Sequence, residues 1–122
     1  MTAKILIVDD NEPVAEYISD LLKSSGFRTT IFTSSKNALD YCKANLQQYK
    51  LVISDICMPD MNGDQLAREI LNLDSDMPII LCSGYVDHIS KEQLLNIGIK
   101  EFMDKPINSA KLLTIIDDLN LC

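Results

Sequence analysis

Acidic side chains follow short apolar runs at two places in this chain. Asp9 and Asp10 come directly after the apolar residues 5–8, and Asp55 ends the stretch "LVISD". Continuous apolar runs of this length are typical of strands buried on both faces of a parallel sheet. An acid at the end of one strand is usually turn chemistry. Three acids at the ends of two central strands instead predict a shared site at one edge of the sheet.

Three neighbouring carboxylates repel one another, since two unit charges ~4 Å apart interact with about 4 kcal/mol at an effective dielectric of ~20. We therefore expect either a protonated carboxyl or a bound metal ion. Hard oxygen ligands favour Mg²⁺, which binds one or two carboxylates together with phosphate oxygens. Lys105, before Pro106, and Ser83, beside Gly84, end two further predicted strands. Carboxylates, a cation, a lysine and a hydroxyl are the groups that phosphoryl transfer uses.

The elements that must position these residues alternate regularly. Apolar runs at 5–8, 51–53 and 79–81 predict central strands, and "FRTTIFT" (27–33) and "EFMD" (101–104) predict the two edges. Amphipathic helical patterns separate them, with Asn11 and Pro13 starting the first, and with Ser90 and Gln93 as a capping box. Five strand-and-helix repeats predict an α/β domain with a doubly wound parallel sheet, in the order 2-1-3-4-5, and five helices.

Size and charge exclude several classes of protein. The chain has 122 residues and a net charge of −7, and its 11 Lys and Arg residues are scattered. We expect one domain over residues 1–122, without direct nucleic-acid binding. No apolar run approaches the ~20 residues that span a bilayer, so we expect no membrane insertion and a cytoplasmic location. The four cysteines form no C-x-x-C pair, and Cys42 and Cys82 are predicted to be small buried hydrophobes.

Four motifs carry a family resemblance. "ILIVDD", "LVISDICMPDMNG", "PIILCSG" and "FMDKPI", in this order and spacing, resemble the receiver domain of two-component response regulators, with chemotaxis regulators among its members. The resemblance runs from about Lys4 to Leu119. It implies a flavodoxin-like fold and a Mg²⁺-dependent phosphoacceptor in a two-component or phosphorelay system, with at most slow self-phosphorylation and self-dephosphorylation.

The resemblance also implies roles for single residues of the acidic site. Asp55 matches the phosphoacceptor, which takes the phosphoryl group from a phosphohistidine on a sensor histidine kinase or histidine phosphotransfer protein. Asp10 matches the direct Mg²⁺ ligand and Asp9 the acid that often binds Mg²⁺ through water. The backbone carbonyl of Cys57 matches a further metal ligand, so the thiol of this cysteine is not implicated.

Further matches imply a switch. Lys105 matches the lysine that pairs with phosphate oxygens, and its bond to Pro106 is cis in the family. Ser83 matches the hydroxyl that moves to the phosphoryl group. Phe102 matches the aromatic residue whose inward turn alters the face of the fourth helix, fifth strand and fifth helix, which an output partner would bind. Tyr85 is predicted to slow hydrolysis of the acyl phosphate.

Two other functions stay open on the sequence. A pseudo-receiver would keep the fold as an interaction module without being phosphorylated. A phosphatase of the haloacid-dehalogenase type also uses an aspartate nucleophile after an apolar strand, but it needs a second acid two residues later, where this chain has Cys57. The only histidine, His88, is predicted to be solvated and to have no catalytic role. The chain is either a single-domain regulator or a receiver from a longer protein.

Overall fold

The computed structural model describes residues 3–84 and 91–121, and of Lys91 it describes the backbone alone. Tyr85, His88 and the Ser90 end of the predicted capping box lie outside the described residues.

Within the residues that the structure describes, five strands alternate with five helices. The strands are β1 (Lys4–Val8), β2 (Arg28–Phe32), β3 (Leu51–Asp55), β4 (Ile79–Ser83) and β5 (Glu101–Asp104). The helices are α1 (Glu12–Ser24), α2 (Ser35–Asn45), α3 (Gly63–Leu73), α4 (Lys91–Ile97) and α5 (Ser109–Leu119), with a short 3-10 turn at Leu46–Gln48.

The strands form one parallel sheet in the order β2-β1-β3-β4-β5. The predicted fold class and strand order are therefore confirmed. β1 and β3 are central neighbours, with Val8 paired to Ser54 at their carboxyl ends. In this topology the crevice between two such strands lies where their connections leave in opposite directions.

Each face of the sheet carries its own apolar core, because successive strand residues point to opposite sides. Leu6 and Val8 pack with residues of α2, α3 and α4. Ile5 and Ile7 pack with residues of α1 and α5. The central strands are thus covered on both faces, which explains their continuous apolar runs.

The predicted helix cap at Asn11 and the predicted burial of Cys42 and Cys82 are both confirmed by the structure. Asn11 caps α1, since its side-chain oxygen accepts a hydrogen bond from the backbone N–H of Val14 at 3.3 Å, and Pro13 lies in the first turn. Cys42 and Cys82 are buried, and burial raises the pKa of their thiols to about 11 and about 12. These two cysteines are therefore protonated core residues. Across the described part of the chain, every helix is too short or too polar to cross a membrane.

Candidate functional site

The three predicted acids meet at the carboxyl ends of β1 and β3. β1 stops at Val8, so Asp9 and Asp10 lie in the loop that follows it, and Asp55 is the last residue of β3. Asp9 is 2% and Asp55 8% exposed, whereas Asp10 is exposed to solvent. One carboxylate oxygen of each lies within 4.8 Å of the others. Asp9, Asp10 and Asp55 thus form an acidic cluster. We call the site formed by these three acids and Lys105 the crevice.

Lys105 enters the crevice from the end of β5. Its Nζ donates to Asp9 Oδ2 at 2.8 Å and lies 3.2 Å from Asp55 Oδ1. Its backbone N–H donates to the carbonyl of Ser83 at 2.8 Å, and its peptide bond to Pro106 is cis. Lys105 therefore bridges two of the acids, and its pairing with Asp9 is the one that the sequence alone did not indicate.

Burial and charge act against each other in this cluster. Burial raises the pKa of the Asp55 carboxyl, the negative charge of Asp9 adds to the rise, and Lys105 opposes it. Burial lowers the pKa of Lys105, but the hydrogen bond to Asp9 and the charge of Asp55 outweigh it, so the pKa is raised. Lys105 is therefore a permanent cation, while the carboxylate of Asp55 is held in an environment that disfavours its charge.

The donor set fits a divalent cation. With all three acids ionised, one ammonium group leaves two negative charges uncompensated in the crevice. The candidate ligands are carboxylate oxygens, which suit Mg²⁺, and the exposed position of Asp10 leaves room for the waters that Mg²⁺ retains.

The loop after Asp55, residues 56–62, is closed tightly at its base. The Gly63 N–H donates to the carbonyl of Ile56 at 2.7 Å, and the Ile56 N–H donates to the carbonyl of Cys82 at 2.9 Å. A Cβ atom at residue 63 would collide with the backbone carbonyl of Asp55. Only glycine fits there, because the start of α3 lies directly against the end of β3.

Asp60, at the far side of this loop, was missed by the sequence reasoning. Its carboxylate accepts hydrogen bonds from Ser34 Oγ at 2.7 Å and Ser35 Oγ at 2.6 Å, and from the backbone N–H of Lys36 and Met61 at 3.1 Å each. These donors, the serine hydroxyls foremost, hold the pKa of the Asp60 carboxyl well below its usual range. We call this group of residues, 34–36 with 60 and 61, the clasp. No local motif reveals it, because its two parts are 24 to 26 residues apart.

The remaining predicted residues occupy different surroundings. Ser83 ends β4 at the edge of the sheet that carries the acids and is 4% exposed. Phe102 pairs with Leu81 in the sheet and packs, half-buried, against the core next to α2, α3 and α4. Cys57 is exposed between buried Ile56 and Met58. The structure places Ser83 beside Lys105 through its carbonyl, and Phe102 within the core layer.

An apolar groove of about 590 Å³ borders the crevice. Tyr17, 49% exposed, lies on its α1 side, and Lys105 forms part of its wall. The complete lining consists of Pro13, Val14, Tyr17, Lys105, Pro106 and Ile107.

Comparisons with known proteins agree on one family. The sequence model of the response regulator receiver domain family matches residues 5–117 of this chain. The phosphoglycerate transport system transcriptional regulatory protein PgtA of Salmonella typhimurium is 32% identical over 114 residues, which are 93% of this chain and 27% of that protein. The C4-dicarboxylate transport transcriptional regulatory protein DctD of Rhizobium meliloti is 34% identical over 108 residues, 88% of this chain and 23% of that protein.

A solved structure gives the same result for the fold. The CheY-like response regulator receiver domain protein of Methanospirillum hungatei is 27% identical, with a TM-score of 0.89, and the match covers 98% of this chain and 95% of that one. The chain spans about a quarter of the length of the two curated relatives.

Proposed function

Because the chain belongs to the response regulator receiver domain family, we propose that residues 1–122 act as one receiver domain in which Asp55 is the phosphoacceptor. The phosphoryl donor is a phosphohistidine on a sensor histidine kinase or a histidine phosphotransfer protein. The domain phosphorylated on Asp55 carries a signal and is not an intermediate of metabolism.

One observation carries this proposal. Asp9, Asp10 and Asp55 converge within 4.8 Å, and Lys105 lies between two of them. A structural ion pair needs one acid for one lysine, whereas this cluster holds two further negative charges at a crevice mouth. An excess of carboxylate beside a lysine is what a divalent cation and a phosphoryl group together would neutralise.

The transfer needs few covalent events. A carboxylate oxygen of Asp55 attacks the phosphorus of the donor, the new O–P bond forms as the N–P bond breaks, and the bonding electron pair stays with the histidine nitrogen. Lys105 lies 3.2 Å from Asp55 Oδ1, so its ammonium group can pair with phosphoryl oxygens added there. Asp9 keeps Lys105 oriented through the 2.8 Å hydrogen bond.

Asp10, Asp9, Asp55 and the carbonyl of Cys57 would hold Mg²⁺. When bound, Mg²⁺ supplies positive charge that neutralises the phosphoryl oxygens. The exposed side of Asp10 faces the solvent from which the ion and the donor arrive.

The same residues supply a switch. A phosphoryl group adds nearly two negative charges and three acceptor oxygens to the crevice. Ser83 ends β4, and Phe102 lies on the neighbouring strand β5. In the proposed switch the hydroxyl of Ser83 moves toward the phosphoryl group. We propose that their movement alters the face of α4, β5 and α5, where an output partner binds.

The apolar groove beside Lys105 supports a protein donor. A phosphohistidine must reach Asp55 through the crevice mouth, and the groove next to it offers exposed Tyr17 and Pro106 as contacts. Cys42 and Cys82 are buried thiols, as is usual for a protein of a reducing compartment, and we place the reaction in the cytoplasm.

The test is phosphorylation of the purified chain with acetyl phosphate and Mg²⁺, followed by intact mass. We expect one added phosphoryl mass in the parent chain and none in Asp55→Asn or after chelation of Mg²⁺. Asp40→Asn, which removes an exposed acid on α2, is the control and retains the full signal.

Three results would count against the proposal. No added mass in the parent chain favours a pseudo-receiver. Added mass that persists in Asp55→Asn moves the acceptor to another residue. Rapid turnover of a phosphate monoester, releasing inorganic phosphate over many cycles, favours the phosphatase alternative.

A further inference from the structure

Asp60 is bound far more firmly than an ordinary surface acid. The exposed pair of Asp40 and Lys43 joins neighbouring turns of α2 at 3.7 Å, with both side chains more than half exposed, and such pairs contribute little. Asp60 instead accepts four hydrogen bonds, two of them from serine hydroxyls at 2.6 and 2.7 Å. Hydrogen bonds to an ionised acceptor are about twice as strong as neutral ones.

The clasp reaches into the protein on the α2 side. Ser35 is 0% exposed, and its Oγ also lies 2.8 Å from the carbonyl of Met61. Ser34 is the N-cap of α2, accepting from the backbone N–H of Asn37 while donating to Asp60. The carboxylate therefore joins the start of α2 to a loop that belongs to β3 and α3.

That loop has three points of attachment. Its base is closed by the hydrogen bond between Gly63 and Ile56, and Ile56 and Met58 are buried in the core. The clasp holds the remaining side, at Asp60 and Met61. Cys57 lies between the buried residues Ile56 and Met58, and three residues before Asp60 of the clasp.

We infer that Asp60 is a positioning residue, which holds the loop so that the backbone carbonyl of Cys57 is set toward the acidic crevice. The inference rests on the proposed function, in which that carbonyl is a metal ligand. The direction of a backbone carbonyl is set by the backbone dihedral angles, so the conformation of the loop alone orients the carbonyl of Cys57. Mutation of a residue that orients a metal ligand typically weakens metal binding by roughly 10- to 100-fold.

Three variants test the clasp on the full chain. Asp60→Asn removes the charge of the acceptor, Ser35→Ala removes one donor without changing the net charge, and the third variant combines both. Asp40→Asn is the control for loss of one negative charge on the protein. The Mg²⁺ dissociation constant is measured by titration calorimetry with MgCl₂, separately from phosphorylation.

We expect Asp60→Asn and Ser35→Ala each to weaken Mg²⁺ binding by about 10-fold, in the range found for residues that orient metal ligands. The double variant should lose little more than Asp60→Asn, because both changes break one unit. Saturating Mg²⁺ should restore the phosphorylation rate. Amide exchange at Lys36 and Met61, whose N–H groups donate to Asp60, should become faster in Asp60→Asn.

The outcomes separate this inference from the proposed function. Mg²⁺ affinity within 2-fold of the parent in both single variants overturns the positioning role, even if their melting temperatures fall. Equal weakening in Asp40→Asn and Asp60→Asn, with none in Ser35→Ala, reduces the effect to net charge and also overturns it. A parent chain that is phosphorylated on Asp55 keeps the proposed function in both cases, whereas a parent that binds no Mg²⁺ rejects both.

Discussion

Two aspartates five residues apart experience opposite environments. Asp55 in the crevice is 8% exposed, and burial raises the pKa of its carboxyl. Asp60 in the clasp is exposed, and hydrogen bonds from Ser35, Ser34 and the backbone lower the pKa of its carboxyl. The residue type is the same, so the difference in pKa arises from the burial and the hydrogen-bond donors that the fold gives to each.

The comparison separates a reactive acid from a structural one. The crevice holds more negative charge than Lys105 can balance, so Asp55 remains available for a cation and a phosphoryl group. The clasp surrounds Asp60 with donors, so its acceptor sites are already used. Carboxylates whose environments push their pKa values apart commonly have different roles.

The largest effect is expected from the cation of the crevice. Lys105→Met should slow phosphorylation of Asp55 on the order of 100-fold, the range found when one charge-stabilising donor is lost from an active site. The rate is followed by intact mass with acetyl phosphate at saturating Mg²⁺. Lys100→Met, an exposed lysine before β5, is the matched control. Equal rates in the two variants would remove Lys105 from the reaction.

The second largest effect is expected at the base of the loop of residues 56–62, which joins the crevice to the clasp. Gly63→Ala should destabilise the fold by about 1–3 kcal/mol, because its Cβ would push against the carbonyl of Asp55. Urea denaturation gives the free energy of unfolding. Gly84→Ala is the control, since among the described residues a Cβ there meets only the Cβ of Lys105, at 4.0 Å. Unfolding free energies that agree for both variants would show that α3 can withdraw from β3 without penalty.

The two aspartates themselves should shift stability in opposite directions. In a Mg²⁺-free buffer at pH 7, Asp55→Asn should raise the melting temperature and Asp60→Asn should lower it. The unfolded-state pKa of an aspartate is about 3.9. The raised pKa of Asp55 means that its ionisation removes stability as the pH rises through the folded-state value. The lowered pKa of Asp60 means that its contribution is present above about pH 4 and is lost as the pH falls toward the folded-state value.

Thermal melts from pH 7 to pH 3 check both signs. The advantage of Asp55→Asn over the parent should vanish below about pH 4, and the deficit of Asp60→Asn should shrink below the same pH. Shifts of the same sign for both variants at pH 7 would contradict the comparison.

The smallest effect is expected between the two regions, at Cys57. Cys57→Ser should leave the free energy of unfolding within about 0.5 kcal/mol, as is usual for an exposed substitution. Mg²⁺ affinity and phosphorylation should also be unchanged, because the proposed ligand is the backbone carbonyl. A large loss of Mg²⁺ affinity, measured by calorimetry, would assign the binding role to the thiol instead.

Much of the fold follows from patterns local to the chain. Continuous apolar runs, one-faced helices and the cap at Asn11 are short-range signals, and their alternation admits few topologies. The order of the strands then brings Asp9, Asp10 and Asp55 to one edge, because the carboxyl ends of β1 and β3 must meet there. The approximate place of Lys105 and Ser83 follows in the same way.

Tertiary structure alone decided which groups touch. The pairing of Lys105 with Asp9 spans 96 residues, and the contacts of Asp60 with α2 span 24 to 26. Such partners leave no periodic trace in the sequence, since any polar residue in these loops satisfies the same local pattern. The sequence by itself thus determined the sheet and the edge where the acids gather. Burial decided that the charged form of Asp55 is disfavoured, and long-range hydrogen bonds decided that the charged form of Asp60 is stabilised.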